Sequence, residues 1–159
     1  MLRGTLAGFF GGALAAGTMS LAHAAISAVV SKPEPLPSNE TPKEEDSTVK
    51  VASAVVSSFG FRLAESDKAK AGTVVHYAFG AGVGAVYGAL VELAPIVRIG
   101  LGLPFGAAVW LGAHVITVPA LGLALPPTRQ PLSKEGEEFG LHLVYGLTAE
   151  LARRLLRRV

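Results

Sequence analysis

One stretch of the chain constrains its fold more than any other, residues 73–95, which read TVVHYAFGAGVGAVYGALVELAP. Its length is about that of an apolar helix that crosses a bilayer, roughly 20 residues. Small residues recur along it at Gly80, Gly84 and Gly88, and this GxxxG spacing lets another helix backbone approach closely. The stretch therefore predicts the central packing helix of a small helical membrane protein.

The composition of the whole chain supports the same class. Half of its 159 residues are hydrophobic and 16% are charged, whereas a soluble domain has about 25% charged residues. Glycine is abundant, at 19 residues, which is typical of closely packed membrane helices. The chain has no cysteine, so disulfides, thiolate metal sites and cysteine nucleophiles are excluded.

The basic residues indicate a membrane surface rather than nucleic acid. The formal net charge is only +2, and the excess lies in one cluster beside an apolar segment. That position favours contact with anionic lipid, so we predict a lipid bilayer as partner and no nucleic acid. The predicted membrane-surface residues are Arg153, Arg154, Arg157 and Arg158.

Three regions follow from the pattern of polarity. Residues 1–30 predict a first transmembrane helix, with a cleaved signal peptide as the alternative because Ala22-His23-Ala24 has a small-x-small form. Residues 31–72 predict a polar loop rich in proline and glutamate, with a short interfacial helix at residues 51–64. Residues 73–159 predict a membrane core of three helices.

Two further apolar segments complete this core. In the first, residues 99–125, Pro119 is expected to kink or end a helix that covers residues 103–118. In the second, residues 139–152, the apolar run is short and crosses the bilayer only if the arginine stems that follow it snorkel. A helix that lies partly in the interface is the alternative for this last segment.

We therefore predict an all-α integral membrane bundle with about four apolar helices and one short interfacial helix. The arginines that follow the last segment place the C-terminus in the cytoplasm. Four crossings return the N-terminus to the same side, together with Arg3 and the short turn that carries Arg98.

Polar side chains inside the apolar segments are the candidates for function, because titratable groups are costly at membrane depth. His76, Gly80 and Tyr87 share one helix face, since offsets of 4 and 11 residues advance about 40° and 20°. Glu92 lies near the helix end, where pairing with Arg98 is expected. The full set of candidates is His76, Tyr87, Glu92, His114, His142 and Glu150.

Several functions are compatible with these residues. In the first, they form interhelical hydrogen bonds in a non-enzymatic protein that packs as a homo-oligomer or with a membrane partner, with pH-responsive contacts as an extension. The alternatives are a small transporter or proton pathway, and an electron carrier with b-type haem between two of His76, His114 and His142. The chain shows no HExxH, GxSxG or P-loop motif, so we predict no enzyme and, outside the haem alternative, no cofactor or metal.

A resemblance covers the chain from His76 onward. Its residues are His76, the run GAVYGALVELAP, His114, Pro119, Gly122-Leu123, Pro126-Pro127, Glu138, His142, Glu150 and Arg153-Arg154. In this order and spacing they resemble the YagU-like family of small bacterial inner-membrane proteins of unknown function. The resemblance implies a multi-pass inner-membrane protein and supplies no reaction, substrate or cofactor.

Overall fold

The computed structural model describes residues 1–30 and 45–158. Within these ranges every regular element is helical, and the predicted all-α class is confirmed. The α-helices are α1 (Leu2–Val29), α2 (Ser47–Ser58), α3 (Glu65–Leu93), α4 (Leu103–Val109), α5 (Val118–Ala120) and α6 (Leu132–Leu156). A 3-10 helix, Pro95–Gly102, links α3 to α4, a π-helix, Trp110–Thr117, joins α4 to α5, and a 3-10 turn, Pro127–Arg129, precedes α6.

The predicted polar loop coincides only in part with the described chain. Its residues 31–44, with the helix stop expected at Lys32-Pro33, lie outside the described residues. The short helix begins earlier than predicted, at Ser47, because Asp46 caps it by accepting a hydrogen bond from the Thr48 backbone N–H at 2.8 Å. It packs against α3.

The third apolar segment is one helical stretch of changing pitch. It begins at Leu103 with Pro104 in its first turn, where a missing N–H is harmless. The predicted end at residue 118 is short by two residues, since the helix continues through Pro119 to Ala120. The π-helical turn between them was not predicted, and the Thr117 hydroxyl donates to the Gly112 carbonyl within it at 2.7 Å.

The bundle is built on α1, which packs against both α3 and α6. The start of α1 meets the ends of α3 and α6, because Glu92 Oε2 lies 3.7 Å from the Met1 amino group and Glu92 Oε1 lies 2.6 Å from Arg157 Nη2. We call this the arginine end of the bundle. Both termini of the described chain therefore lie at one end, and α1 runs antiparallel to the other two helices.

Three helical stretches are long and apolar enough to cross a membrane: Leu2–Val29, Glu65–Leu93 and Pro95–Ala120. The fourth predicted segment forms α6, which is long but less apolar than these three stretches, because it carries several glutamates and arginines. A crossing by α6 stays a prediction.

Candidate functional site

A buried carboxylate lies at the arginine end of the bundle. The Glu150 side chain is 0% exposed, and it pairs with Arg153 and Arg154, three and four residues later on the same helix. Arg153 donates to both of its oxygens, at 2.7 and 3.0 Å, and Arg154 donates to one at 2.6 Å. The Tyr87 hydroxyl of α3 donates to the same carboxylate at 3.0 Å. The arginine bonds lie within α6, and the Tyr87 bond joins α3 to α6; because hydrogen bonds to charged groups are about twice as strong as neutral ones, this link is a strong one.

Aromatic rings cover this network from one side. The Phe105 ring of α4 stacks on the ring of Tyr87, with ring centroids 4.1 Å apart. Tyr145 lies beyond Phe105, and its hydroxyl donates to the Gly80 carbonyl at 2.6 Å. Phe105 and Tyr145 were not among the predicted site residues, because an aromatic residue in an apolar segment carries no distinguishing sequence signal.

Glu92 has partners other than the one expected. Its carboxylate pairs with Arg157 of α6 and with the Met1 amino group, and the predicted pair with Arg98 is wrong. Arg98 lies closer in sequence, but the end of α6 brings Arg157 Nη2 within 2.6 Å of the Glu92 carboxylate.

An open cleft of about 820 Å³ lies between the ends of α3 and α6 and the 3-10 helix that follows α3. Its charged lining residues are Glu92, Arg98, Arg153, Arg154, Arg157 and Arg158. All four arginines predicted as membrane-surface residues therefore line one concave site. Arg98 joins them, although the sequence placed it only in a nearby turn.

The three glycines of the central helix, Gly80, Gly84 and Gly88, are all buried. A Cβ atom at Gly84 would lie 2.6 Å from the Cα of Gly12, and one at Gly88 would lie 2.9 Å from the Cα of Gly8. The interface is thus a contact within the chain, between α3 and the GxxxG pair of α1. The GxxxG spacing alone is compatible with a contact within the chain and with one between protomers.

Close glycine contacts also join α6 to the 3-10 helix Pro95–Gly102 and to α4. Gly102 has a φ of 82°, which glycine adopts without strain. It packs closely on Gly146, because a Cβ atom at Gly102 would lie 2.9 Å from the Gly146 carbonyl carbon. Gly106 likewise packs on the backbone of His142 and Gly146. These contacts hold the Phe105 ring in place beside Tyr87.

The histidines gather in the other half of the bundle. His76 Nε2 lies 3.2 Å from the Ala16 carbonyl of α1, so it joins two helices, and it does not stack on another histidine. The facing pair is His114 with His142, whose ring centroids are 6.0 Å apart. His114 Nε2 lies 3.4 Å from the Glu135 carboxylate, and His142 Nδ1 lies 2.7 Å from the Glu138 carbonyl.

No group of three or more potential ligands that could hold a metal ion occurs in the part of the chain that is described. The haem alternative requires His114 to turn its Nε2 away from Glu135 and toward a haem iron. It stays a prediction, and a Soret band in the purified, haem-supplemented protein is its test.

A comparison with family models gave a match. The model described as "Protein of unknown function (DUF1440)" matches residues 37–151, which include α2 to α5 and most of α6. The searches of curated proteins and of solved structures each gave no match.

Proposed function

The chain belongs to the DUF1440 family, a family of unknown function, and from this premise we propose that it is a non-enzymatic integral membrane protein. In this proposal its helices pack within the bilayer and offer an apolar surface to a second copy or to a membrane partner protein. The location is the bacterial inner membrane, with both termini in the cytoplasm, as the resemblance to YagU-like proteins and the arginine cluster suggest.

The observation that carries this proposal is the exposure of large apolar side chains around a core made mostly of small residues. The largest fully buried side chains are the polar Tyr87 and Glu150. Large apolar side chains lie on the surface instead, such as Phe10, Leu14 and Leu21 on α1, which are 59%, 58% and 72% exposed. Water would penalise this arrangement by about 25 cal/mol for each Å² of apolar surface, whereas hydrocarbon would not.

The interaction role is supported by two exposed glycines beside which the described chain leaves open space. A Cβ at Gly82 of α3 or at Gly112 of the π-helix would meet nothing within 4 Å. Small residues on a lipid-facing surface allow another helix to approach closely. Gly80, Gly84 and Gly88 already pack on α1, so the open positions at Gly82 and Gly112 are available to a helix of a partner protein.

Topology can be tested with single cysteines, because the natural chain has none. We expect Ser58→Cys, which follows α2, to react with a membrane-impermeant maleimide added to intact spheroplasts. We expect Arg3→Cys, at the start of α1 and so at the arginine end, to react only after the membrane is opened. Both side chains are exposed, so accessibility of the residue itself does not differ. Equal labelling of both in intact spheroplasts would contradict the predicted membrane crossing between them.

A second function is favoured by the histidine half of the bundle. His114, His142 and Glu135 approach one another there, with Glu138 contributing its carbonyl and His76 on the adjacent helix. Histidine titrates near neutrality, so the cluster suits a proton pathway. In liposomes we expect proton flux above protein-free vesicles that falls to the vesicle baseline in His114→Ala. His23→Ala, whose side chain is largely exposed, is the control. Flux equal to protein-free liposomes would rule out this second function.

A further inference from the structure

The arginine cleft has more positive charge than its own carboxylates neutralise. It has five arginines, which face the carboxylate of Glu92 in the cleft and that of Glu150 behind it. The ends of α3 and α6 add only partial negative charge to this region. Within the described chain, at least two guanidinium groups are therefore without a full counter-charge.

The geometry identifies which arginines these are. Arg153 and Arg154 pair with Glu150, and Arg157 pairs with Glu92. Arg98 and Arg158 are exposed, and neither side chain forms an ion pair or hydrogen bond within the described chain. Their guanidinium groups line the same cleft, where they have donors available for a planar or tetrahedral oxyanion.

An apolar groove lies beside the same 3-10 helix. It has a volume of about 450 Å³ and is lined by Leu90 of α3, by Ile96 and Ile99 of the 3-10 helix, and by Phe105 and Ala108 on the α4 side. The 3-10 helix thus contributes Arg98 to a basic cleft and two isoleucines to an apolar groove.

We propose that this pair of sites binds one anionic phospholipid, with its phosphate in the arginine cleft and an acyl chain in the apolar groove. The charge of the cleft complements a phosphate, and the groove suits the hydrocarbon that a free phosphate lacks. The site lies where apolar helices end, which is the level of lipid headgroups. The inference rests on the proposed function, since a phospholipid reaches the site only from a bilayer.

Native mass spectrometry of the full chain, released from detergent micelles, tests this assignment. The probes are phosphatidylglycerol and phosphatidylcholine with identical acyl chains. We expect the natural chain to retain phosphatidylglycerol in preference. Arg98→Gln with Arg158→Gln should weaken that binding about 30-fold, because each arginine contributes roughly a sixfold gain near an anionic lipid. Neither side chain makes a hydrogen bond, ion pair or ring contact within the described chain.

The matched control removes two arginines from elsewhere. Arg62 precedes α3 and Arg129 precedes α6, so both lie away from the arginine end, and both are exposed. We expect Arg62→Gln with Arg129→Gln to change phosphatidylglycerol binding by less than about twofold. Equal retention of the two lipids by the natural chain, or equal loss in the two double variants, would overturn the proposal.

Two further measurements separate a lipid from a free anion. Ala108 is exposed on the groove, so Ala108→Phe fills it without touching an arginine and should weaken phosphatidylglycerol binding. Inorganic phosphate at millimolar concentration should not displace the lipid. If it does, and Ala108→Phe has no effect, the site binds a soluble anion and the lipid assignment is wrong. Cysteine labelling still reports membrane insertion in that case, so the two proposals fail separately.

Discussion

Gly84→Leu is expected to destabilise the protein by about 3 kcal/mol, at the upper part of the range for overpacked sites. A Cβ at this position would lie 2.6 Å from the Cα and 2.9 Å from the backbone nitrogen of Gly12. Backbone atoms of a helix cannot move aside singly, so α1 as a whole must separate from α3. Unfolding by SDS, followed by circular dichroism in detergent, measures the loss.

The same helix offers a matched control. Gly82 lies two residues earlier, and a Cβ there would meet nothing within 4 Å. We expect Gly82→Leu to change the free energy of unfolding by at most about 0.5 kcal/mol. Gly84→Ala should already show most of the loss, because the clash begins at Cβ. Equal stability of Gly84→Leu and Gly82→Leu would mean that α1 does not pack on this face.

These glycines illustrate what sequence reasoning can achieve in this chain. A period of four residues identifies the helix face that another backbone approaches, since side chains four apart lie on one face. It does not identify the approaching helix, because GxxxG spacing is the same within a chain and between chains. The partner, α1, is known only from the fold.

Polar partners were harder to predict than packing faces. Glu92 was assigned to Arg98, its neighbour in sequence, yet it pairs with Arg157, because helix ends bring together residues that are far apart in the chain. The pairs of Glu150 with Arg153 and Arg154 were predictable, since they depend only on spacing within one helix. The Tyr87 hydroxyl bond to Glu150 joins two helices and left no signal in either.

The second large effect is expected from Glu150→Leu, which should cost about 3–5 kcal/mol. The variant leaves Arg153, which is 5% exposed, as a buried charge without its carboxylate, and it removes the acceptor of the Tyr87 hydroxyl. The same SDS titration measures this loss. Asp67→Asn is the control, because Asp67 and its partner Lys70 are 4.0 Å apart and exposed, and such surface pairs contribute about 0–1 kcal/mol.

A double variant separates the charge from the packing. If the cost of Glu150→Leu comes from the stranded guanidinium, then adding Arg153→Leu should recover a large part of it, since a buried pair replaced by apolar residues is often neutral. Arg154 is half-exposed, so its guanidinium group is still hydrated when Glu150 is replaced. No recovery in the double variant would mean that the loss comes from the missing Tyr87 hydrogen bond between α3 and α6, and not from the stranded guanidinium group. In that case Tyr87→Phe alone should reproduce most of the loss.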